Sequence, residues 1–276
     1  MNYLEYDFTI NPVQPFADLL AAELGELGFE SFAVTDTGLL AYVSEDEHDD
    51  EALEKLWTPT LSEVKISWQV AEIPKQNWNA KWEENFNPIE IEDKILVRAP
   101  FHEPKTVPYD IVIEPKMSFG TGHHETTYMM LQLLLDEAIE DKRVLDMGCG
   151  TGVLAILAQM RGAKSVDAVD IDEWCYLNTI ENIKRNRCDD IQVYQGDRSI
   201  IVGKSYDLII ANINKNILLQ DMPTYFECLT SGGTLLLSGF YEKDLEDISK
   251  ATLVLGLGYQ KHNSKNDWVA AVYRKG

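Results

Sequence analysis

The chain has 276 residues, 46 acidic against 24 basic, and a formal charge of −22. That length allows one full-sized domain plus a smaller one, and the composition supports a buried core. So acidic a surface argues against direct nucleic-acid binding, which needs lysine and arginine to displace counterions, and it suits a basic partner. Four cysteines (Cys149, Cys175, Cys188 and Cys228) contain no C-x-x-C pair, so neither a zinc knuckle nor a disulfide framework is signalled and a reducing cytoplasm is expected. No apolar run reaches the ~20 residues of a membrane span, and MNYLEYDFTI has neither the basic start nor the apolar run of a signal peptide.

In chain order, YLEYDFTI alternates as a strand, and a helix follows from Pro15 to Leu27 with Phe16, Leu19, Leu20, Leu24 and Leu27 expected on one face. Pro15 starts that helix and Gly28 stops it. Two strands, FESFAVTD and GLLAYVSE, turn at Thr37 and Gly38; a helical DEALEKLWTPTL and a strand VKISWQVAEI complete the order β-α-β-β-α-β. This order predicts a small α+β domain of the split βαβ, ferredoxin-like kind over residues 1–73. Its only basic residues are Lys55 and Lys65, while SEDEHDDE is almost wholly acidic. No candidate catalytic cluster lies in it, so its expected role is recognition or scaffolding.

Residues 74–86, with Trp78 and Trp82 four apart, are expected to form a helical connector. From 87 to 276, strand-like KILVRAP and YDIVIEP lead to a glycine loop, FGTGHHETT, and then a helix, TTYMMLQLLLDEAI. Strands and helices alternate thereafter: RVLDMG, GVLAILAQMRG, SVDAVDID, WCYLNTIENIKRN, IQVYQGD, YDLIIANI, LLQDMPTYFECL and GGTLLLSGF. Such alternation predicts an α/β fold, a mostly parallel sheet with helices on both faces and a ligand at the carboxyl ends of its strands.

VLDMGCGTG places Asp146 at the end of an apolar strand, Gly148, Gly150 and Gly152 in the turn to a helix, and Asp170 at the next strand's end, twenty-two residues after Gly148. Glycines admit a ligand close to the backbone, a helix start offers unpaired N–H groups to a carboxylate or phosphate, and the second carboxylate can accept ribose hydroxyls. The spacing is G-x-G-x-G after an aspartate rather than the G-x-G-x-x-G of dinucleotide enzymes, which favours S-adenosylmethionine over NAD. GKS at Gly203 to Ser205 has Arg198 where a phosphate loop needs its leading glycine, so it reads as a turn. His123 and His124 are adjacent and point different ways, with no third ligand at useful spacing, so no metal is expected.

IEPKMSFGTGHHETT, VLDMGCGTGVLAI, VDID and LIIANI, in this order and spacing, resemble the ribosomal protein L-eleven methyltransferase family, PrmA. FGTG-x-H-x-TT is specific to that family, whereas the second glycine loop is common to class I methyltransferases at large. The resemblance runs from about Trp78 to the C-terminus; the N-terminal domain agrees in size and strand order more than in sequence. It implies a class I (Rossmann-like) methyltransferase fold, S-adenosylmethionine as donor, and amino groups of the large-subunit ribosomal protein number eleven, on lysine side chains or the N-terminus, as acceptors. By position it carries cofactor contact onto Thr127, Gly148, Asp170 and Asn212, and a loop-ordering or substrate-touching role onto His124.

Gly150 joins the cofactor loop. Phe119 is read either as core or as an aromatic wall of the cofactor pocket, and Asp197 in YQGD either as a partner of the adenine amino group or as part of a surface turn. Glu114 and Asp146 are read as site carboxylates or as anchors for loop N–H groups. Methyl transfer to an amine needs a neutral, aimed nucleophile more than a dedicated acid or base. Asn212, at the end of LIIAN, can accept amine N–H groups and leave the lone pair facing the methyl. Adenine and glutamine methylases typically carry Asn-Pro-Pro-aromatic there; this chain has Asn212-Ile213-Asn214-Lys215, with no aromatic on which to stack a base. The alternatives left open are another protein or a nucleic-acid base as acceptor, an NAD-dependent oxidoreductase, and a sensor that binds the donor without turnover.

Overall fold

The computed structural model describes residues 2–46, 48, 53, 64–73, 86–116 and 118–276. The chain divides into two compact units, Met1–Asn85 and Phe86–Gly276. The connector expected over 74–86 lies outside the described residues apart from Phe86, as does the second helix expected within 50–61 apart from Leu53.

In the first unit the alternation of Leu4, Tyr6, Phe8 and Ile10 makes β1 (Tyr3–Asn11) amphipathic, those four inward and Glu5, Asp7 and Thr9 outward. Helix α1 (Phe16–Glu26) follows, then β2 (Ser31–Val34), β3 (Gly38–Ser44) and β4 (Lys65–Ile73). The strands lie in the order β2-β3-β1-β4 with every pair antiparallel, the ferredoxin-like arrangement. Ala17, Leu20 and Leu24 of α1 bury against Tyr6, Phe8, Leu39 and Val43. Leu19, expected on that face, is 41% exposed. At about 100° per residue it points well away from the direction shared by Leu20, Leu24 and Leu27.

The second unit opens with a small sheet, β5 (Ile89–Ile91), β6 (Ile95–Arg98) and β7 (Tyr109–Val112), in which β6 and β7 run parallel. Next come α2 (Glu125–Asp136), β8 (Arg143–Met147), α3 (Val153–Met160), β9 (Ser165–Asp170), α4 (Glu173–Arg185) and β10 (Ile191–Gln195). The chain continues through β11 (Tyr206–Asn212), α5 (Lys215–Cys228), β12 (Leu229–Tyr241), α6 (Leu245–Val254), β13 (Leu257–Lys265) and β14 (Trp268–Lys275). The seven strands β8 to β14 form one sheet in the order β10-β9-β8-β11-β12-β14-β13, parallel except for β14. The order reverses at β8, which opens a crevice beyond its carboxyl end.

Each face of this sheet carries its own apolar core. Val144, Leu208 and Ile210 join α2 and α3 on one side; Leu145, Ile209 and Ala211 join α5 and α6 on the other. Helix α6 and the hairpin β13–β14 extend beyond the elements expected from sequence. The hairpin turns at Asn266 and Asp267, both left-handed at φ 50° and 64°, the geometry of a tight primed turn. No helix among the described residues is long and apolar enough to cross a membrane.

Gly38 tests the packing of the first sheet. A Cβ there would stand 1.9 Å from the carbonyl oxygen of Phe8, a backbone atom that cannot swing aside. Gly38→Ala is therefore expected to destabilise the protein by about 1–3 kcal/mol, read as an earlier thermal transition.

Candidate active site

The carboxyl ends of β8, β9, β10 and β11 enclose a cleft of about 440 Å³, within the range of small-molecule sites. Its floor is the turn from β8 into α3. There Gly148, Gly150 and Gly152 all adopt positive φ. A Cβ on Gly148 would lie 2.2 Å from Cγ2 of Ile213, and one on Gly150 would lie 2.2 Å from the carbonyl oxygen of Phe119. Both conformation and close packing require glycine at these two positions.

The loop's own N–H groups are engaged inside the protein. Gly148 and Cys149 donate to the Val169 carbonyl (2.8 and 3.1 Å), Gly150 to Oδ2 of Asp170 (2.9 Å), Thr151 to the Phe119 carbonyl (2.9 Å) and Gly152 to the Cys149 carbonyl (2.7 Å). A pyrophosphate would need these donors. Their engagement favours a nucleoside with a compact tail, recognised by side chains at the strand ends.

Asp170 is 9% exposed and lines the cleft. Besides Gly150, it accepts the N–H of Asp172 at Oδ1 (3.0 Å). Each carboxylate oxygen has a second lone pair, so capacity for a pair of ribose hydroxyls remains. Asp197 also lines the cleft and caps a short 3-10 turn, accepting the Ser199 N–H at 2.8 Å; the Ser199 side chain first, and then this N–H, hold its carboxyl below the usual range. Phe119 is half exposed and forms part of the cleft wall rather than the core.

Asn212 ends β11 on the cleft wall. Its Nδ2 faces Oγ1 of Thr127 at 3.4 Å, while its buried Oδ1 has no hydrogen-bond partner among the described residues. An orphaned buried acceptor beside a cleft is a place where a ligand N–H fits. Thr127 is fully buried and reaches the cleft only through Asn212.

His124 caps α2: its Nδ1 lies 3.2 Å from the Thr126 nitrogen and 2.8 Å from Thr126 Oγ1. Its ring rests between Phe119 and Trp268, with centroids 5.0 and 4.8 Å away. It supports the aromatic wall rather than lining the cleft. His123 turns elsewhere, with Nε2 2.8 Å from the Asn87 carbonyl. Among the described residues no group of three His, Cys, Asp or Glu is arranged to hold a metal ion. Glu114 pairs with Arg185 at 2.7 Å, away from the cleft lining.

Asp146 is buried beneath the loop. Its Oδ2 accepts the Ala155 N–H (3.1 Å), its Oδ1 is unpartnered, and burial, reinforced by the nearby Asp170 charge, pushes its carboxyl up to about 7. Sequence reasoning missed Arg198 and the 5% exposed Asp221, which pair at 2.5 Å at the cleft's edge. An aspartate within the otherwise apolar inward face of α5 was the available signal.

A doubly wound sheet whose last strand inserts antiparallel, a glycine turn after its first strand, and an acidic residue ending the second define a class I methyltransferase. The family model described as "Ribosomal protein L11 methyltransferase (PrmA)" matches residues 21–276. A Bacteroides thetaiotaomicron protein named ribosomal protein L11 methyltransferase is 47% identical over 280 residues, covering 99% of each chain. One of the same name from Porphyromonas gingivalis is 49% identical over 285 residues, 98% of this chain and 97% of that one. A crystal structure of ribosomal protein L11 methylase from Lactobacillus delbrueckii subsp. bulgaricus matches with TM-score 0.64 at 27% identity, covering 69% of this chain and 100% of that one. The chain belongs to the ribosomal protein L11 methyltransferase family; it is a methyltransferase, and S-adenosylmethionine is its donor.

This geometry has two testable outcomes. Gly150→Ala is expected to weaken S-adenosylmethionine binding in calorimetry by about tenfold or more, about 1.4 kcal/mol, because strain and the Phe119 carbonyl both oppose the new Cβ. Asp146 has a folded-state pKa above its unfolded value, so the native state binds the extra proton and stability falls as pH rises from about 4 to about 7. Asp146→Asn keeps an oxygen for the Ala155 N–H and removes that charge. Its melting temperature is expected to exceed the parent's at about pH 8, with the difference shrinking as pH falls through about 7.

Proposed function

We propose that this enzyme, working in the cytoplasm, transfers methyl groups from S-adenosylmethionine to amino groups of ribosomal protein L11, on lysine side chains, the N-terminal amine or both. The family supplies the acceptor protein, which its relatives carry in their names. The observation that supports an amine as acceptor group is the buried, unpartnered Oδ1 of Asn212 on the cleft wall.

When bound, S-adenosylmethionine supplies an electrophilic methyl carried on cationic sulfur. Asp170 and Asp197 are the residues to hold the nucleoside end, with Gly148 and Gly150 as the floor and Phe119 as a wall. A lysine ammonium has a pKa of ~10.4, so only about one in a thousand is neutral near pH 7.4. Apolar walls at Met147, Ile213 and Phe119 offer the amine a less polar surface, which favours its neutral form. Asn212 Oδ1 accepts one amine N–H and so turns the lone pair towards the methyl. Thr127, buried behind Nδ2, fixes the orientation of that amide.

The first unit has the charge to receive a basic acceptor. The sheet face away from α1 carries Glu5 and Asp7 at its centre, opposite Tyr42 and Leu40 on one side and Ala71 and Gln69 on the other. Glu5 accepts the Tyr42 hydroxyl, which raises that tyrosine's pKa. We assign substrate recognition to this unit.

The reading is tested with purified enzyme, labelled donor and a ribosome-free extract: label in ribosomal protein L11 is expected, whereas label in nucleic acid or in another protein overturns it. Asn212→Ala is expected to retain donor binding within about threefold while turnover falls about a hundredfold, the size of effect misaligned reactants produce. Normal turnover in that variant would remove Asn212 from the reaction. Glu5→Lys with Asp7→Lys is expected to raise KM for the protein acceptor about tenfold, with less effect at high salt and little change in kcat.

A further inference from the structure

Helix α4 turns an unusually polar face inward. Asn178, Thr179 and Asn182 are all at least 98% buried, and Asn186 extends the same i, i+4, i+8 stripe. The amides of Asn182 and Asn186 are met by backbone partners, whereas Nδ2 of Asn178 has no partner among the described residues. Asn186 pairs with one residue of the small sheet, accepting the Val112 N–H (2.8 Å) and donating to its carbonyl (2.7 Å), as a neighbouring strand would.

Asn182 does something different. Its Oδ1 accepts the N–H of Glu114 (2.9 Å), on the lead-in to the first glycine loop, and its Nδ2 donates to the carbonyl of Thr151 (2.9 Å), in the second. Thr151 is itself the junction of the two loops: its N–H donates to the Phe119 carbonyl (2.9 Å) and its Oγ1 to the Gly120 carbonyl (2.7 Å). Thr179 on the same helix donates to the Gly150 carbonyl at 2.9 Å.

We propose that Asn182 is a positioning residue for the donor site. One amide pins the strand entering the first loop and the carbonyl of the residue that joins the loops. It thereby sets the distance between the Phe119 wall and the Gly148–Gly150 floor. Removing it leaves a backbone donor and a backbone acceptor unmatched and frees the wall to shift against the floor. Asn186 makes bonds of the same kind with no partner in either loop, so it separates helix anchoring from site positioning.

The test is calorimetry with S-adenosylmethionine alone, which requires no acceptor and so stands apart from the identity of the methylated protein. Asn182→Ala is expected to weaken donor binding about tenfold and to raise the donor's KM more than it lowers kcat. Asn186→Ala is expected to lower the melting temperature while donor affinity stays within about twofold. Thr151→Val reaches the same junction from the other loop and is expected to weaken the donor severalfold. Combined with Asn182→Ala, it should cost less than the product of the two single effects. Parental affinity in Asn182→Ala, equal losses in Asn182→Ala and Asn186→Ala, or independent effects in the double variant would overturn the proposal. Should Asn182→Ala not fold, parental affinity in Thr151→Val overturns it.

Discussion

The structure depends on one constraint: the turn between β8 and α3 satisfies its own backbone before any ligand arrives. Val169, Asp170, Phe119 and Cys149 take its N–H groups, and Thr179 and Asn182 take two of its carbonyls. A loop closed in this way loses little freedom when a ligand binds, which favours affinity. It also has few main-chain donors left to offer, so recognition passes to side chains. The glycines answer to the same closure, since Gly148 packs against Ile213 and Gly150 against the Phe119 carbonyl too tightly for any Cβ.

Strand alternation then decides where the polar side chains go. Along β11, Leu208 and Ile210 face one core while Ile209 and Ala211 face the other, so Asn212 points to the first side just where that core opens into the cleft. Along β8 the same rhythm carries Val144 and then Asp146 to that side. The two positions diverge because the chain leaves them differently. Helix α3 starts over Asp146 and buries it, while the backbone beyond Asn212 departs through Ile213 and Asn214, both part of the cleft lining. One residue becomes a partly protonated anchor of the helix; the other keeps a buried, unpartnered oxygen beside the cleft.

Much of this was legible in the sequence because it rests on local periodicity. The alternation of β1, the apolar run of β11 and the glycine spacing after β8 each depend on neighbours within one element. Asp170 and Asn212 could be placed at strand ends because such positions can be counted, while the cofactor contact expected of Asn212 came from the family resemblance. Long-range relations were not legible. That Thr127 would be buried behind Asn212, eighty-five residues away, or that His124 would cap its own helix and brace Phe119 against Trp268, depends on packing. Leu19 was misplaced because apolar character was read without angular position. The inward polar stripe of α4 was not legible either, since nothing within the helix reveals that Asn182 and Asn186 meet the backbone of other segments.

The excess of negative charge acts on the proposed reaction in two opposing ways. At long range it draws a basic protein towards the enzyme. Close to the reacting amine, the same field stabilises ammonium and raises the pKa that must be overcome. The site's local composition counters this second effect. Asp146 near neutral pH carries only part of a charge, Asp221 is matched by Arg198, and Asp170 and Asp197 already accept backbone N–H groups. Met147, Ile213 and Phe119 supply the apolar surface between them. The open acidity proposed to assist encounter at the first unit's sheet thus has no counterpart in the cleft, where each nearby carboxylate is buried, paired or hydrogen-bonded. There the proposed partner of the amine is Asn212, a neutral acceptor that favours the charged form less than a carboxylate would.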